Sequence, residues 1–226
     1  MLSKLKELFQ KSQSVVVDKS KQYISSFLPA NPVIIEAGVA DGKDTFEMSK
    51  LWPEATIYGF EPHPYFYKIA CEKNKKQKNV NIYQAALAEK DGYSDFNVSK
   101  LNSEEIFGSS SLLTPKEHLR IHPQIEFKET IQVKTFNLDQ WAQQNNIEVI
   151  DFMWLDMQGI EPVILRSSPN VLQSCSVIFT EVSLIETYEG VILYPEFKIW
   201  MQEKGFKVQM EDLPYKDMGN VLFVRQ

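Results

Sequence analysis

Glycines and acidic residues stand where two short apolar runs end in this chain. The first run leads into the segment Glu36-Ala37-Gly38-Val39-Ala40-Asp41-Gly42, and the second, Ile57-Tyr58-Gly59-Phe60, leads into Glu61 and Pro62. A buried strand, a glycine turn and a helix commonly receive a nucleotide-like ligand, because glycine lets the backbone approach it. A carboxylate at the end of the next strand can accept hydrogen bonds from both ribose hydroxyls. We therefore predict a nucleotide-like cofactor whose ribose is bound by Glu61.

The turn itself indicates which nucleotide is bound. It reads Glu-x-Gly-x-x-x-Gly and lacks the dinucleotide fingerprint G-x-G-x-x-G. Glu36 would repel a pyrophosphate, but it suits the cationic amino-acid end of S-adenosylmethionine (SAM). We expect Gly38 and the backbone near Gly42 to lie against the methionine part of SAM, with Glu36 near its amino group or a bridging water. Ala86 and Leu87 close a third apolar run and are expected to border the adenine.

Two further acids are placed for chemistry on an acceptor. Asp156 and Glu181 each end a predicted strand, and neighbouring strands lie about 4.8 Å apart. Open α/β sheets bind ligands at this edge, so both carboxylates are candidate catalytic groups. They could take a proton from a hydroxyl nucleophile or hold a Mg²⁺ ion. In the alternative interpretation, Asp156 caps the following helix and Glu181 pairs with a nearby cation.

The histidines and several aromatic residues leave alternatives open. His63 follows Pro62 and could border the ribose or adenine, or lie in a surface turn. His118 and His122 fall in the irregular segment 93–136, where an imidazole could serve as a base because it titrates near neutrality. Some aromatic side chains could stack on a sugar or pack in the core: Phe107, Trp154, Tyr188 and Tyr194.

Strand and helix patterns alternate along most of the chain. Strands are predicted at 33–37, 56–61, 80–87, 149–155, 176–181, 206–210 and 220–224, and helices at 43–51, 65–76, 138–144, from 161 onward and at 195–204. Asp91-Gly92 is typical of a hairpin turn. Strand–helix units predict a doubly wound, mostly parallel α/β sheet, and the closing strand–loop–strand requires an antiparallel C-terminal strand. We expect one domain over 1–226, with an N-terminal helical extension at 1–30 and an insertion at 93–136.

The bulk composition excludes several classes of function. The net charge of −6 argues against a nucleic-acid-binding surface, and no segment has the apolar length of a membrane span. Cys71 and Cys175 have no metal or redox spacing and suggest reduced thiols in a cytoplasmic protein. Amphipathic spacing over 2–28 predicts helices that cover a sheet edge, or else form a lid or a homodimer contact.

The chain resembles the FkbM family of SAM-dependent methyltransferases over about 33–224. The likeness is carried by four segments in order: Glu36 to Gly42, Phe60-Glu61-Pro62-His63-Pro64, Gly108-Ser109-Ser110-Ser111-Leu112, and Ile150 to Glu161. The resemblance implies a Rossmann-like, seven-stranded methyltransferase fold. It implies that Ala40, Pro62 and His63 belong to the cofactor-binding segments and that Ser110 lies close to the cofactor.

Three residues depart from the family pattern. Ala40 replaces an asparagine, Trp154 a lysine and Gln158 a glutamate. A glutamine cannot act as a general base, so we expect Gln158 to orient the acceptor beside Asp156 and Glu181.

The resemblance implies O-methylation of a small molecule or a sugar hydroxyl. We expect a neutral hydroxylated acceptor, a saccharide before a macrolide, walled by the segment 93–136. Two alternatives are a non-catalytic SAM-binding module and an NAD-dependent oxidoreductase. Glu36 and the missing third glycine disfavour the oxidoreductase.

Overall fold

A computed structural model describes residues 20–102 and 104–226. Within these residues the eleven strands are β1 (Val33–Ala37), β2 (Thr56–Phe60), β3 (Val80–Tyr83), β4 (Ala86–Leu87), β5 (Gly92–Leu101), β6 (Glu105–Ile106), β7 (Ile125–Phe136), β8 (Phe152–Leu155), β9 (Val177–Ser183), β10 (Phe206–Asp212) and β11 (Met218–Arg225). The helices are α1 (Lys43–Leu51), α2 (Pro64–Asn74), α3 (His118–Ile121), α4 (Leu138–Gln144), α5 (Glu161–Ser167), α6 (Pro169–Ser174) and α7 (Tyr194–Glu203).

The predicted N-terminal extension lies mostly outside the described residues. Within them, residues 20–24 are helical and a 3₁₀ turn follows at Ser25–Phe27. In the part of the chain that the structure describes, we find no helix long and apolar enough to cross a membrane.

Seven strands form the main sheet in the order β10-β11-β9-β8-β1-β2-β3. The strands from β9 to β3 run parallel, whereas β11 is antiparallel to both of its neighbours. This order confirms the predicted mostly parallel sheet with an antiparallel C-terminal strand. The central strands are continuous apolar runs because helices cover both faces of the sheet.

Two apolar clusters fill the two faces. One packs α4 to α7 against the face that carries Ile35, Met153 and Ile178. The other packs α1 and the residues near Ile24 against the face that carries Trp154. Register places Glu36 between Gly59 of β2 and Trp154 of β8, so its carboxylate belongs to the α1 side.

The predicted third strand, 80–87, is wrong as a single element. The chain turns after β3, where the Ala85 N–H bonds to the Tyr83 carbonyl at 3.0 Å. Ala86 and Leu87 then form β4 of a second sheet with the order β4-β7-β5-β6. The tight turn ends the main-sheet ladder before the apolar run itself ends.

The predicted Asp91-Gly92 hairpin is also wrong. Strands β4 and β5 do not pair, because β7 lies between them, and Thr135 of β7 stands opposite both Ala86 and Gly92. The Asp91 carboxylate instead accepts the Asn137 N–H at 2.8 Å. Asp91 therefore ties this connection to the start of α4.

The segment 93–136 is more regular than expected. Strands β5 and β7, which span Gly92–Leu101 and Ile125–Phe136, form a long antiparallel ribbon within this segment. Its inner face packs Phe96, Val98 and Val133 against Ala86. Its alternate residues are polar and solvent-facing, which weakened the strand pattern in the sequence.

Candidate functional site

The turn after β1 lies directly against the end of β8. Gly38 has a left-handed backbone with φ of 89°, and a Cβ placed there would lie 1.8 Å from the Asp156 carbonyl oxygen. No residue with a side chain fits this contact, so glycine is required. The predicted cofactor turn and the predicted acceptor acid are consequently neighbours.

Glu61 closes the same turn from the end of β2. Its Oε2 accepts the Ala40 N–H and its Oε1 accepts the His63 N–H, each at 2.8 Å. Burial raises the pKa of Glu61 to about 7, although the two backbone donors stabilise the ionised form and so lower the pKa. Each carboxylate oxygen retains a lone pair for a further donor.

Ala40 and His63 take their positions from the backbone around Glu61. Ala40 has φ of 49°, a left-handed conformation in which asparagine is enriched and alanine is not. His63 caps α2, where its Nδ1 accepts the Tyr65 N–H at 3.2 Å, while Pro62 is half-buried. His63 is itself buried, so its placement in a surface turn is wrong, and burial lowers its pKa.

Glu36 and Gly42 both face helices. The Thr45 hydroxyl of α1 donates to the buried Glu36 carboxyl, whose pKa is raised well above its ordinary value by burial and then by the nearby Asp44. A Cβ at Gly42 would lie 2.8 Å from the Ala70 Cα, so glycine here permits close packing on α2.

The adenine-side candidates belong to the second sheet. Ala86 and Leu87 are buried in β4. Shortly before β4 in the chain, the Tyr83 carbonyl accepts the Glu61 N–H at 3.0 Å. The Ser110 hydroxyl accepts the Ser99 N–H at 2.9 Å. Ser110 is thus held within the segment that follows β6.

Gln158 brings the two acceptor-side carboxylates together. Its amide Nε2 donates to Asp156 Oδ1 at 2.9 Å and to both Glu181 oxygens at 3.1 Å. Gln158 has φ of 60°, which turns its side chain back over the end of β8. Strand β9 continues to Ser183, past the predicted end at 181, yet Leu155 stands opposite Thr180, so Asp156 and Glu181 are still level.

Glu161 is a member of this cluster that the sequence analysis did not select. Carboxylate oxygens of Asp156, Glu161 and Glu181 lie within 4.8 Å of one another. Glu161 accepts the Met157 and Gly159 N–H groups, whereas the N-terminus of α5 has no side-chain cap, so the prediction that Asp156 caps it is wrong. Its place in the segment Ile150 to Glu161 was the available signal.

Charge repulsion and burial act together on these acids. Burial raises the pKa of Glu181 well above its ordinary value, and the neighbouring Asp156 and Glu161 raise it further. Burial likewise raises the pKa of Glu161 to about 7. The Asp156 side chain is the one of the three that opens to solvent, although surrounding protein raises its pKa as well. Solvent access makes Asp156 the carboxylate best placed to meet an acceptor.

Tyr188 connects this centre to the inserted segment. Its hydroxyl donates to the Ser109 carbonyl at 2.7 Å and to Gln158 Oε1 at 3.3 Å. The Ser111 hydroxyl donates to the Gln158 carbonyl at 3.1 Å. The segment between β6 and α3 therefore packs against Gln158, which holds the carboxylates.

A histidine pair lies on the far side of Tyr188. The buried His118 ring lies 5.4 Å from the Tyr188 ring and 4.9 Å from that of His122, measured between centroids. His122 Nε2 lies 2.7 Å from the Asp217 carboxylate, a partner that the sequence analysis missed. Burial, and then the neighbouring His122, lower the pKa of His118 to about 4, so His118 is neutral at physiological pH.

Trp154, Tyr194 and Phe107 differ in how far solvent reaches them. Trp154 is buried on the α1 side against Phe179, and Tyr194 is buried at the start of α7. Phe107 is exposed beside the serine-rich segment.

Comparison with known proteins identifies the family. Residues 36–208 match the family described as the methyltransferase FkbM domain. The 2-O-methyltransferase NoeI of Sinorhizobium fredii (strain NBRC 101917 / NGR234) is 30% identical over 191 residues, which cover 80% of this chain and 79% of NoeI.

Solved structures share the fold. Aeropyrum pernix fibrillarin in complex with natively bound SAM aligns with a TM-score of 0.51 at 14% identity, over 87% of this chain and 69% of fibrillarin. A SAM-dependent methyltransferase from Aquifex aeolicus aligns with a TM-score of 0.50 at 14% identity, over 99% and 98% of the two chains. The family match favours methyl transfer over the NAD-dependent oxidoreductase considered from the sequence. Together with the glycine turn and Glu61 described above, this match shows that the chain belongs to the FkbM methyltransferase family and is a SAM-dependent methyltransferase.

Proposed function

We propose that the chain transfers the methyl group of SAM to a hydroxyl group of a neutral, hydroxylated acceptor. The observation that carries this proposal is the contact between Gly38 and Asp156, since it sets the cofactor turn against the most accessible acceptor-side carboxylate. Similarity to a 2-O-methyltransferase supports oxygen as the nucleophile.

On the cofactor side, we propose that Glu61 accepts both ribose hydroxyls. Each of its oxygens holds one backbone donor and keeps one lone pair, which suits a pair of vicinal hydroxyls. Gly38 and the backbone near Gly42 would lie along the methionine part, with the Glu36 carboxyl near its amino group or a bridging water.

The remaining proposed cofactor contacts come from neighbouring segments. They are Ala40, Pro62 and His63 around the ribose, Ala86 and Leu87 at the adenine, and Ser110 and Asp156 near the methyl end. When bound, SAM supplies an electrophilic methyl group on a sulfonium.

On the acceptor side, we propose that Asp156 receives the hydroxyl proton and that Glu181 and Gln158 orient the acceptor. A carboxylate in hydrogen-bond reach can take the proton as the oxygen attacks, which is general-base catalysis. Gln158 supports this role because its amide fixes both carboxylates. Holding the acceptor oxygen in line with the methyl group supplies much of the remaining rate.

A saccharide is the acceptor that these surroundings favour. Carboxyl groups hydrogen-bond to hydroxyl groups in either protonation state and offer no positive charge to a phosphate or other anion, and three of them converge here. The net charge of −6 acts in the same direction against RNA. Hydroxyl and aromatic side chains of the segment 93–136 would wall the acceptor.

Magnesium at Asp156 and Glu181 fits the donor set poorly. The Gln158 amide donates into the space between these carboxylates, where a cation would have to lie. Mg²⁺ needs convergent oxygen ligands at about 2.0–2.1 Å, and an amide N–H group is not one.

We also propose a cytoplasmic location, a single domain over 1–226 and a homodimer contact through the extension 1–30. Free thiols at Cys71 and Cys175 support a reducing compartment. Size-exclusion chromatography with light scattering, on the full chain and on a chain lacking residues 1–19, tests the dimer. A monomeric full chain, or a truncated chain that still forms a dimer, would contradict the proposed contact.

The acceptor is tested by measuring S-adenosylhomocysteine release. Neutral mono- and oligosaccharides should support turnover, whereas catechols, proteins and RNA should not. Asp156→Asn serves as the matched control, because product release that survives in it does not come from this site. Turnover confined to RNA or to a protein side chain would refute the proposed acceptor.

A further inference from the structure

The Gln158 amide nitrogen occupies the centre of the carboxylate cluster. Three carboxylate oxygens lie around it, Asp156 Oδ1 at 2.9 Å and the two Glu181 oxygens at 3.1 Å. A divalent cation bound by the same oxygens at about 2.0–2.6 Å would need nearly the same point in space. The amide and a cation therefore exclude each other.

The orientation of the amide is determined by its neighbours. Rotating it by 180° would set Oε1 against three carboxylate oxygens, which have no proton to donate when ionised. In the observed orientation Oε1 accepts the Tyr188 hydroxyl at 3.3 Å. With these carboxylates ionised, the network requires a donor, and not an acceptor, between Asp156 and Glu181.

Glu161 contributes charge to this centre without being free to move into it. Both of its oxygens already accept backbone N–H groups, from Met157 and from Gly159. It is buried and fixed at the start of α5. Asp156 and Glu181 are consequently the pair in which a positive or donating neighbour favours the ionised forms side by side.

We propose that the Gln158 amide takes the place of a cation in this centre, so that Asp156 and Glu181 are held together, and the centre works, without a divalent metal. The inference rests on the proposed function only where it assigns these carboxylates to the acceptor. A corollary is specific to this geometry. Exchanging the amide NH₂ for a carboxylate oxygen would place a further oxygen ligand among those of Asp156 and Glu181 and would create a divalent-cation site.

Manganese titration by calorimetry, without SAM or acceptor, tests the proposal directly. The proteins are wild type, Gln158→Glu and Gln173→Glu, and the last adds the same charge at an exposed position of α6. We expect Gln158→Glu to bind Mn²⁺ roughly tenfold or more tightly than the other two, because charge and ligand number set the affinity of such sites. Wild-type binding as tight as that of Gln158→Glu, or equal binding by both variants, would overturn the proposal.

Two measurements on wild type keep the test decisive if Gln158→Glu does not fold. The melting temperature of wild type should be the same with Mn²⁺ and with EDTA, and a clear rise with Mn²⁺ would overturn the proposal. The turnover of wild type, with whichever acceptor the screen identifies, should survive exhaustive chelation. Loss of turnover on chelation would overturn the proposal. If no acceptor is ever methylated, the proposed function fails while the manganese titration still decides this inference.

Discussion

Replacing Glu61 by alanine should weaken SAM binding, whereas replacing an unrelated surface acid should leave SAM binding unchanged. The two free lone pairs of Glu61 would receive ribose hydroxyls, and hydrogen bonds to a charged group contribute about 1.5–3 kcal/mol. Loss of this carboxylate should raise the dissociation constant about 10- to 150-fold, since each 1.4 kcal/mol is a factor of ten. The range corresponds to one such hydrogen bond, and Glu61 would accept two, so it is a lower estimate.

The same residue should make SAM binding pH-dependent. Burial raises the pKa of Glu61 to about 7, so below that pH the ligand-free protein holds a proton that SAM binding must displace. Affinity should therefore fall as the pH drops below about 7, by up to tenfold per unit, until the lower pKa of the complex is reached. Glu61→Gln should bind more weakly at pH 8 and show a flatter profile between pH 7 and 5.

Isothermal titration of SAM into wild type, both Glu61 variants and Glu72→Gln measures these effects. Glu72 is exposed on α2, which starts beside Glu61, and controls for the loss of one negative charge. Unchanged affinity in Glu61→Ala, or a pH profile that Glu61→Gln leaves intact, would refute the assignment of Glu61 to the ribose.

Three further outcomes are expected. Asp156→Asn should lower turnover by about 10²- to 10⁴-fold with SAM affinity nearly intact; loss of SAM binding with the rate retained at saturation would make Asp156 a cofactor ligand instead. Ala40→Asn should raise the melting temperature by about 2–4 °C, because asparagine tolerates the left-handed backbone at φ of 49° at a cost about 1 kcal/mol lower than alanine does; an unchanged or lower value contradicts this. The ligand-free protein should lose stability as the pH rises from 4.5 to 7, since buried Glu61 and Glu161, with pKa values of about 7, keep their protons in the folded state over a range in which the unfolded chain has released them. The melting temperature should therefore be higher at pH 5 than at pH 8, and the opposite order would contradict this.

The main sheet could be predicted because its signals are local. The segment Ile34 to Gly42 carries a buried strand and its turn within a few residues, and Glu61 follows the next apolar run directly. Both strands are covered on their two faces, so their apolar runs are continuous and need no knowledge of the partner.

The second sheet could not be predicted because its order depends on distant pairing. Ala86 and Gly92 flank a turn-like Asp91, yet both stand opposite Thr135, more than forty residues away in the chain. Ribbon strands with one exposed face also alternate weakly. Local turn chemistry favoured a hairpin, and the tertiary contact to Asn137 prevailed.

The candidate site divides in the same way. Asp156 and Glu181 were recognisable from their places after apolar runs, whereas Glu161 and Tyr188 act through contacts that only the folded chain makes. Gln158 was selected from the sequence for orienting the acceptor, but the identity of its partners was not available there. The placement of single residues was thus predictable, and the hydrogen-bond network among them was not.

Ala40 and Gln158 show why two departures from the family pattern differ in consequence. Both have a left-handed backbone, at φ of 49° and 60°. Ala40 contributes its backbone N–H to Glu61, a group that every residue except proline supplies, so the side chain there can vary. Gln158 contributes its side-chain amide to two carboxylates, and neither an ionised acid nor an apolar residue can donate in its place. Substitution at position 40 should therefore change stability, whereas substitution at position 158 should change the chemistry of the centre.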